Sequence, residues 1–266
     1  MRVELRATYE VESDKYFWLR EPLDGGELDA LRRQVAAVYA DLQPRAFMML
    51  DAAVAGEPTG AQAVREAIPA LPEVIAGIPV RDALEKLADA LAAAPPPPPD
   101  RRAVVERALD SIDVQRVEEA VSWVADTLGF LLPTAMSLTV DVYVVAAGVP
   151  LGGLTGLRID DSPVCFVQVR EQEGSAFAEA LIHEATHVLD ITCDNDTSLV
   201  AQLRNAPGST HQLWHAPYFI AAAEATRRFV DPQHEDFGAT HGYYAKVPAE
   251  LARLTDEGVV EAIRRR

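Results

Sequence analysis

Residues 175–191 have the sequence SAFAEALIHEATHVLDI, and this stretch decides the centre of the fold. Its apolar residues recur at the three- and four-residue spacing of a single helix face. They are Phe177, Ala178, Leu181, Ile182, Ala185, Val188 and Leu189. The spacing predicts an amphipathic helix from Ala176 to about Ile191, with Ser175 as a candidate N-cap.

The polar face of this predicted helix carries an H-E-x-x-H motif, formed by His183, Glu184 and His187. At 100° per residue the two histidines lie about 40° apart, so both imidazoles can bind one metal ion. Glu184 lies beside that face, where its carboxylate can take a proton from a water molecule on the metal. Glu179 and Asp190 flank the histidines and are candidates for orienting the imidazole rings.

The segments before this helix predict another helix followed by a small sheet. A helical pattern runs from residue 101 to about Leu128 and ends at Gly129. Two β-branched runs, Leu138–Val145 and Val164–Val169, predict strands, and a third strand is predicted at Leu157–Ile159. The predicted order is therefore a helix, two or three strands and then the motif helix.

The N-terminal third of the chain is predicted to be mainly helical. Alternation over residues 2–12 predicts one strand, and helical spacing predicts helices at Leu28–Gln43, Arg45–Val54 and Val80–Ala94. Pro95–Pro99 is an uninterrupted proline run. It cannot lie inside a helix, because each ring removes a hydrogen-bond donor and clashes with the preceding turn. The run predicts a short polyproline II spacer.

Together these elements predict an α+β fold with a mainly helical N-terminal region (1–94), a polyproline linker (95–100) and a domain that contains the motif (101–266). Over roughly residues 100–245, the motif and the element order resemble the zincins, the superfamily of H-E-x-x-H zinc metallohydrolases. The resemblance implies a zincin-like domain with a small mixed sheet, an H-E-x-x-H active-site helix and a bound Zn²⁺ ion. It also implies that the strand before that helix, Val164–Val169, is an edge strand that lies along the cleft and pairs with an extended substrate.

A catalytic zinc site takes three protein ligands and leaves one position for water, so a third ligand is needed. His215 is preferred because it continues an apolar stripe of the helix predicted at Gln212–Phe229, and His211 lies one turn earlier. Cys193 stands where one group of zincins carries its third histidine, and Glu224 lies in the following helix, from which another group takes a glutamate. Glu224 falls on the solvent face, but all four residues remain alternatives at this stage.

Two consecutive tyrosines downstream, Tyr243 and Tyr244, are candidate catalytic residues, and His241 is a third candidate in the same stretch. Zincins often use a phenol or an imidazole from a downstream segment to stabilise the tetrahedral oxyanion. The resemblance therefore implies this role for one of the three residues. The alternative is that the two tyrosines anchor the C-terminal region.

The chain is acidic throughout, with 41 Asp and Glu against 24 Lys and Arg and a formal charge of −17. The acidic excess is spread along the sequence. The chain therefore lacks the cluster of basic residues that nucleic-acid binding needs. It is equally unsuited to an anionic membrane surface. All six histidines, in contrast, lie between His183 and His241, which places the predicted chemistry in the last third of the chain.

The cysteines and the N-terminal sequence indicate a reduced compartment. Cys165 and Cys193 cannot form a disulfide framework. The first residues, MRVELRATYEVESDKYF, contain no apolar signal-peptide core, and no apolar run reaches the roughly 18–20 residues of a membrane helix. We therefore expect a cytoplasmic protein that does not bind membranes.

These observations predict a zinc-dependent hydrolase, with a peptide or another amide as its substrate. In this prediction Glu184 activates water for attack on an amide carbonyl, and His183, His187 and His215 bind the metal. One alternative is a hydrolase of a non-peptide amide or an ester that uses the same site. The other is a non-catalytic or regulatory metal-binding protein on a zincin-like scaffold.

Overall fold

The computed structural model describes residues 3–40, 44–57, 59–74, 79–131, 138–169, 174–193 and 196–266. Its helices and strands are, in chain order, β1 (Val3–Tyr9), α1 (Val11–Arg20), α2 (Asp29–Tyr39), α3 (Pro44–Ala55), α4 (Ala61–Ala67), α5 (Val80–Ala93), α6 (Pro99–Asp110), α7 (Val114–Leu128), β2 (Leu138–Val145), β3 (Gly153–Leu157), β4 (Pro163–Gln168), α8 (Ser175–Thr192), α9 (Leu199–Asn205), α10 (His211–Phe229), α11 (Phe237–Thr240), α12 (Tyr243–Lys246), α13 (Pro248–Asp256) and α14 (Val259–Arg265). Among the helices described, none combines the length and the apolar character needed to cross a membrane.

The four strands form one mixed sheet in the order β1-β2-β4-β3. β2 and β4 are parallel, with Val142 opposite Cys165, whereas β3 and β4 are antiparallel, with Thr155 opposite Cys165. The inward-facing residues of β2 and β4 are apolar and buried, which suits strands at the centre of a sheet. The prediction of a mainly helical chain with a small mixed sheet is confirmed.

The position of β4 contradicts one prediction. The strand at Val164–Val169 was expected to be an edge strand that pairs with an extended substrate. In the structure β4 lies between β2 and β3, and both of its edges are hydrogen-bonded to those strands. Its backbone N–H and C=O groups are therefore already paired, and β1 and β3 are the edge strands of this sheet.

The third strand was predicted at Leu157–Ile159 but lies at Gly153–Leu157. Residues after Leu157 form the hairpin turn into β4. In that turn Asp161 N donates to Arg158 O, and Arg158 N donates to Ser162 O. Asp161 adopts a positive φ of 62°, a conformation that Asp tolerates better than β-branched residues do. The turn chemistry of the aspartates therefore ended the strand earlier than its apolar residues indicated.

The single helix predicted from residue 101 to Leu128 is two helices, α6 and α7, which meet near Asp113. The Asp113 side chain accepts hydrogen bonds from the backbone N–H groups of Gln115 and Arg116 and so caps a new helix. The apolar spacing continues across this break, but the local cap starts a new helix. The predicted end at Gly129 is confirmed, since Gly129 has the left-handed conformation of a C-cap, with φ 77°.

The predictions of helices at Arg45–Val54 and Val80–Ala94 are confirmed by α3 and α5. The helix predicted at Leu28–Gln43 is confirmed at its start, since α2 begins at Asp29, and its predicted end lies outside the described residues. The helices α1 and α4 were not predicted. The strand predicted at residues 2–12 ends at Tyr9, because the Glu10 side chain accepts a hydrogen bond from Ser13 N (2.7 Å) and caps α1. Residues 95–98, which follow α5, have no regular secondary structure, so the prediction that the proline run is not helical is confirmed for them. It is wrong for Pro99, which occupies the first turn of α6, where a proline is tolerated because its missing N–H would have no partner there.

The chain groups into two compact units. The first, called here the sheet unit, comprises Ala7–Leu109 and Asp141–Glu171. It extends on both sides of the proline run, so this unit does not end there. Its core is one cluster of buried apolar side chains from α1, α2, α3, α4, α5 and the sheet, with Tyr16, Phe17 and Phe166 among the largest. The division into 1–94, 95–100 and 101–266 stays a prediction.

The second unit, called here the motif unit, comprises Met1–Arg6, Asp110–Val140 and Gln172–Arg266. At its centre α7, α8 and α10 pack against one another. α10 contributes a run of buried alanines at 221–223, small side chains that allow close helix approach. The H-E-x-x-H motif lies on α8 and is therefore held between two long helices.

Candidate metal centre

The motif helix α8 runs from Ser175 to Thr192, within one residue of the prediction at each end. Gly174 is the N-cap, and Ser175 is the first helical residue instead of the predicted cap. His183 and Glu184 are each only 7% exposed. Burial of polar and ionisable groups is unfavourable unless they have partners. This face of the helix is therefore expected to bind or contact other groups, and it is not an ordinary solvent-exposed face.

Three histidine side chains meet beside α8. The Nε2 atom of His187 lies 3.1 Å from Nε2 of His183 and 3.0 Å from Nε2 of His215. One ligand atom from each of the three residues lies within 4.8 Å of the others. Among the His, Cys, Asp and Glu side chains described in the structure, this is the group close enough to hold a metal ion.

The contacts of His187 do not form a complete hydrogen-bond network. An imidazole nitrogen carries either one proton or one lone pair, so Nε2 of His187 cannot make a good hydrogen bond to both neighbours at once. Three nitrogens that converge in this way fit a metal ion, because tetrahedral zinc ligands at 2.0–2.1 Å lie about 3.3 Å from each other. The donor set therefore suits a transition-metal ion, because imidazole is a common ligand of zinc, copper, iron and nickel.

Burial sets the protonation of the three imidazoles. It lowers the pKa of His187 to about 3 and that of His215 to about 2, and it lowers the pKa of His183 well below the usual histidine value. Loss of hydration is the main cause in each case. Repulsion between the protonated forms of neighbouring histidines lowers the pKa values further, and Arg204 adds to this effect on His187. The rings are consequently neutral at physiological pH, which is the form that binds metals.

Aromatic side chains from α10 surround the cluster. The Phe219 ring lies 4.2 Å from the ring of His183, and the Tyr218 ring lies 4.2 Å from that of His187, measured between centroids. Tyr218 is completely buried. These rings restrict the rotation of the imidazoles and keep water from one side of the cluster.

The other predicted ligand candidates are not among the three residues whose ligand atoms converge, although His211 lies next to His215. His211 is exposed, with its ring 4.8 Å from that of His215 and 4.6 Å from that of Trp214. Cys193 lies at the C-terminal end of α8 and contacts Thr192. Glu224 forms ion pairs with Arg227 and Arg228, the solvent-face arrangement expected from its helical position. His215 is the candidate that the fold brings to His183 and His187.

The two tyrosine candidates have different surroundings. Tyr243 packs on Phe219 (4.3 Å) and lies edge-on to His215 (6.2 Å), and its buried hydroxyl has no hydrogen-bond partner among the described residues. Burial raises the pKa of Tyr243 to about 12, so it keeps its proton. The Tyr244 hydroxyl instead donates to Asp236 (3.0 Å).

His241 and the ring of Tyr244 lie elsewhere in this segment. His241 is exposed and stacks on Phe237, with ring centroids 3.9 Å apart. The Tyr244 ring covers Gly238 so closely that an added Cβ would lie 2.6 Å from it. Of the three residues proposed for oxyanion stabilisation, Tyr243 is the one that contacts the histidine cluster.

The carboxylates that flank the motif have partners of their own. Asp190 forms an ion pair with Arg204 at 2.7 Å, and Glu179 Oε2 lies 2.5 Å from Nε2 of His234. Nδ1 of His183 is buried and has no hydrogen-bond partner among the described residues. Nδ1 of His183 is therefore not oriented by a described carboxylate, and Glu179 contacts His234.

The contact of His234 with α8 was not predicted from the sequence, nor were the contacts of Tyr218 and Phe219 with the motif histidines. His234 lies 55 residues after Glu179, and no local spacing links the two. The clustering of all six histidines in the last third was the one available signal.

Comparisons with protein-family models, with curated proteins and with solved structures find no match to this chain. The chemistry of the residues themselves is therefore the basis for assigning a function.

Proposed function

We propose that this protein is a zinc-dependent hydrolase with a zincin-like site, in which His183, His187 and His215 bind the metal. The single observation that carries the proposal is the convergence of three imidazoles: Nε2 of His183 and Nε2 of His215 lie 3.1 and 3.0 Å from Nε2 of His187, and the three residues offer ligand atoms within 4.8 Å of one another. Three imidazole ligands with one open coordination position are the arrangement of catalytic zinc. Structural zinc sites, in contrast, use four protein ligands, and the described residues offer three.

The roles of the protein groups follow from their chemistry. Bound zinc would lower the pKa of a coordinated water and polarise a carbonyl oxygen. Glu184, buried on the same helix turn, would accept a proton from the attacking water and donate it to the leaving amine. Tyr243, which keeps its hydroxyl proton and contacts His215, would donate a hydrogen bond to the developing oxyanion.

The substrate class proposed first is a peptide, followed by other amides and esters. The expectation that β4 pairs with an extended peptide has lost its support, because β4 has no free edge. Backbone pairing therefore no longer favours a peptide over a smaller amide. The reaction type depends on the zinc ligands and Glu184, and these residues are common to both alternatives.

Metal content is the first test. Purified full-length protein, dialysed without chelator, is expected to contain one zinc per chain by elemental analysis. The same protein with His183→Ala is expected to contain almost none. A wild-type protein that takes up no zinc, even after incubation with Zn²⁺ and gel filtration, would contradict the proposal.

Turnover is the second test. Wild-type protein and Glu184→Gln are incubated with a mixed peptide library and, separately, with amide and ester substrates, and products are identified by mass spectrometry. Glu184→Gln is expected to keep its zinc and lose turnover by a factor of about 10²–10⁴. New peptide termini would identify a peptidase, and hydrolysis confined to small substrates would identify the second class. Full zinc loading without any hydrolysis would favour a regulatory metal-binding protein.

A further inference from the structure

A second group of catalytic residue types lies in the motif unit, separate from the zinc ligands. The Ser175 hydroxyl lies 3.0 Å from Nδ1 of His234, and Nε2 of the same ring lies 2.5 Å from Oε2 of Glu179. Phe237 N donates to the same carboxylate oxygen at 2.9 Å. A hydroxyl, an imidazole and a carboxylate in this order are the parts of a serine nucleophile with its base and orienting acid.

The hydrogen bond from Phe237 N favours one direction of proton transfer. Glu179 accepts from Phe237 N, so its Oε2 acts as an acceptor and favours the His234 tautomer with the proton on Nε2. Nδ1 is then a lone pair that accepts the proton of the Ser175 hydroxyl. Burial raises the pKa of Glu179, whereas the bonds from His234 and Phe237 lower it. The ring is thus held with its basic nitrogen facing the serine.

Ser175 is more exposed than the His234 and Glu179 side chains behind it, as a nucleophile that must meet a ligand requires. The side chains of Glu179 and His234 are both 2% exposed, and Ser175 is half-buried. An orienting acid and a base that are shielded from water keep their geometry, and the hydroxyl at the end can meet a ligand. A purely structural Glu–His pair would pin α8 to the segment before α11, but it would not need a hydroxyl on the second nitrogen.

The described residues also leave open space beside Gly174, the residue before Ser175. Gly174 has φ 53°, and a Cβ added there would meet no other described atom within 4 Å. The N-cap Gly174 makes no side-chain hydrogen bond, so the first-turn N–H groups after it lack a capping side chain. Such N–H groups can stabilise an oxyanion that forms beside the serine.

We propose that Ser175, His234 and Glu179 form a second catalytic site, a serine nucleophile that accepts acyl groups from carboxylic esters. In the first step Ser175 Oγ forms a bond to the acyl carbon while its proton passes to His234 Nδ1. The bond to the ester oxygen breaks, and the leaving alcohol takes that proton. Water then attacks the acyl-serine, gives its proton to His234, and releases the carboxylic acid as Ser175 regains its proton.

A fluorophosphonate probe tests the site in the full chain. The Ser175 oxygen is expected to displace fluoride from phosphorus, and digestion with mass spectrometry should locate the adduct on Ser175. Ser175→Ala should lose this adduct. Ser122→Ala is the matched control, because Ser122 is also a half-buried helical serine but its hydroxyl donates to the Glu118 carbonyl, and this variant should label like wild type.

The role of the relay is tested by rate. Glu179→Gln is expected to slow the labelling of Ser175 by tenfold or more, up to about 10⁴-fold, because it removes the charge that orients the base. Circular dichroism checks that the variant is folded. Labelling should be equal with and without a chelator, which separates this site from the zinc site. The absence of an adduct on Ser175 in folded wild-type protein, or an equal rate in folded Glu179→Gln, would overturn the proposal.

Discussion

Nε2 of His187 on α8 lies 3.0 Å from Nε2 of His215 on α10, although the two residues are 28 positions apart in the chain. The contact exists because α8 and α10 pack against each other in the core of the motif unit. His183 completes the group from one turn earlier on α8. A pair of histidines on one helix thereby becomes a three-nitrogen site.

Replacement of the third histidine should separate the ligand alternatives. His215→Ala is expected to weaken zinc binding by more than about 100-fold, because loss of an outer partner alone already reduces metal affinity by 10–100-fold. The control is His211→Ala, one turn earlier on the same helix, which should keep wild-type affinity. Competition with a chromophoric chelator measures both variants. Loss of zinc in His211→Ala with retention in His215→Ala would contradict the assignment.

The two tyrosines should respond differently to removal of the hydroxyl. Tyr243→Phe preserves the packing on Phe219 and is expected to reduce kcat/KM by about 10²–10³-fold with an unchanged zinc content. Tyr244→Phe removes the hydrogen bond to Asp236 and is expected to reduce stability by about 1 kcal/mol. Enzyme kinetics measure the change in kcat/KM, and thermal unfolding measures the change in stability, for both variants. A large loss of activity in Tyr244→Phe alone would reverse the assignment.

A buried aspartate in the sheet unit should make stability depend on pH. Asp51 is fully buried, and its Oδ1 accepts hydrogen bonds from Tyr16 (2.6 Å) and Tyr39 (2.7 Å) and pairs with Arg20 (3.2 Å). Loss of hydration raises the pKa of Asp51 above its usual range, although these partners lower it. In the unfolded chain the pKa returns to about 3.9.

The sign follows from proton linkage. Because the pKa of Asp51 is raised in the folded state, the folded protein binds the proton on this carboxyl more tightly than the unfolded chain does. Proton binding therefore adds to the free energy of unfolding at low pH, and this contribution is lost as pH rises from about 3.9 through the folded-state pKa. Asp51→Asn cannot ionise. The stability of wild type relative to Asp51→Asn is therefore expected to fall across this interval, measured as urea midpoints at a series of pH values. A rising difference would contradict the burial argument.

A glycine in the sheet unit should be intolerant of any side chain. Gly148 has φ 97°, and a Cβ there would lie 2.7 Å from the carbonyl carbon of Phe17. Gly148→Ala is expected to destabilise the protein by about 2–4 kcal/mol, through backbone strain together with the clash. Gly208→Ala is the matched control, because Gly208 also has a positive φ of 68° but has open space around it.

The control should cost only the conformational strain, about 1 kcal/mol. Chemical denaturation of both variants measures the difference. Equal destabilisation in the two alanine variants would show that the close approach to Phe17 contributes nothing.

Local signals predicted the long helices well and the short elements poorly. α8 and α10 carry apolar stripes over 18 and 19 residues, and their predicted ends are within one residue of those observed. α1 is short and rich in polar residues, so its spacing gave no signal, and a single cap at Asp113 divided a helix that periodicity had joined. Caps and turns depend on hydrogen bonds between side chains and nearby backbone groups. These bonds can end a helix or strand even where the apolar spacing continues.

By itself the sequence determined the mainly helical class, the motif helix and the pairing of His183 with His187, because those features depend on contacts three or four residues apart. Tertiary structure alone decided that β4 is interior, that His215 joins the motif and that His234 reaches Glu179 and Ser175. The pairing of β2 with β4 joins residues 23 positions apart, and the histidine contacts join residues 28 to 59 positions apart. They form only when the helices and strands bury their apolar faces together, which no periodicity along the chain records.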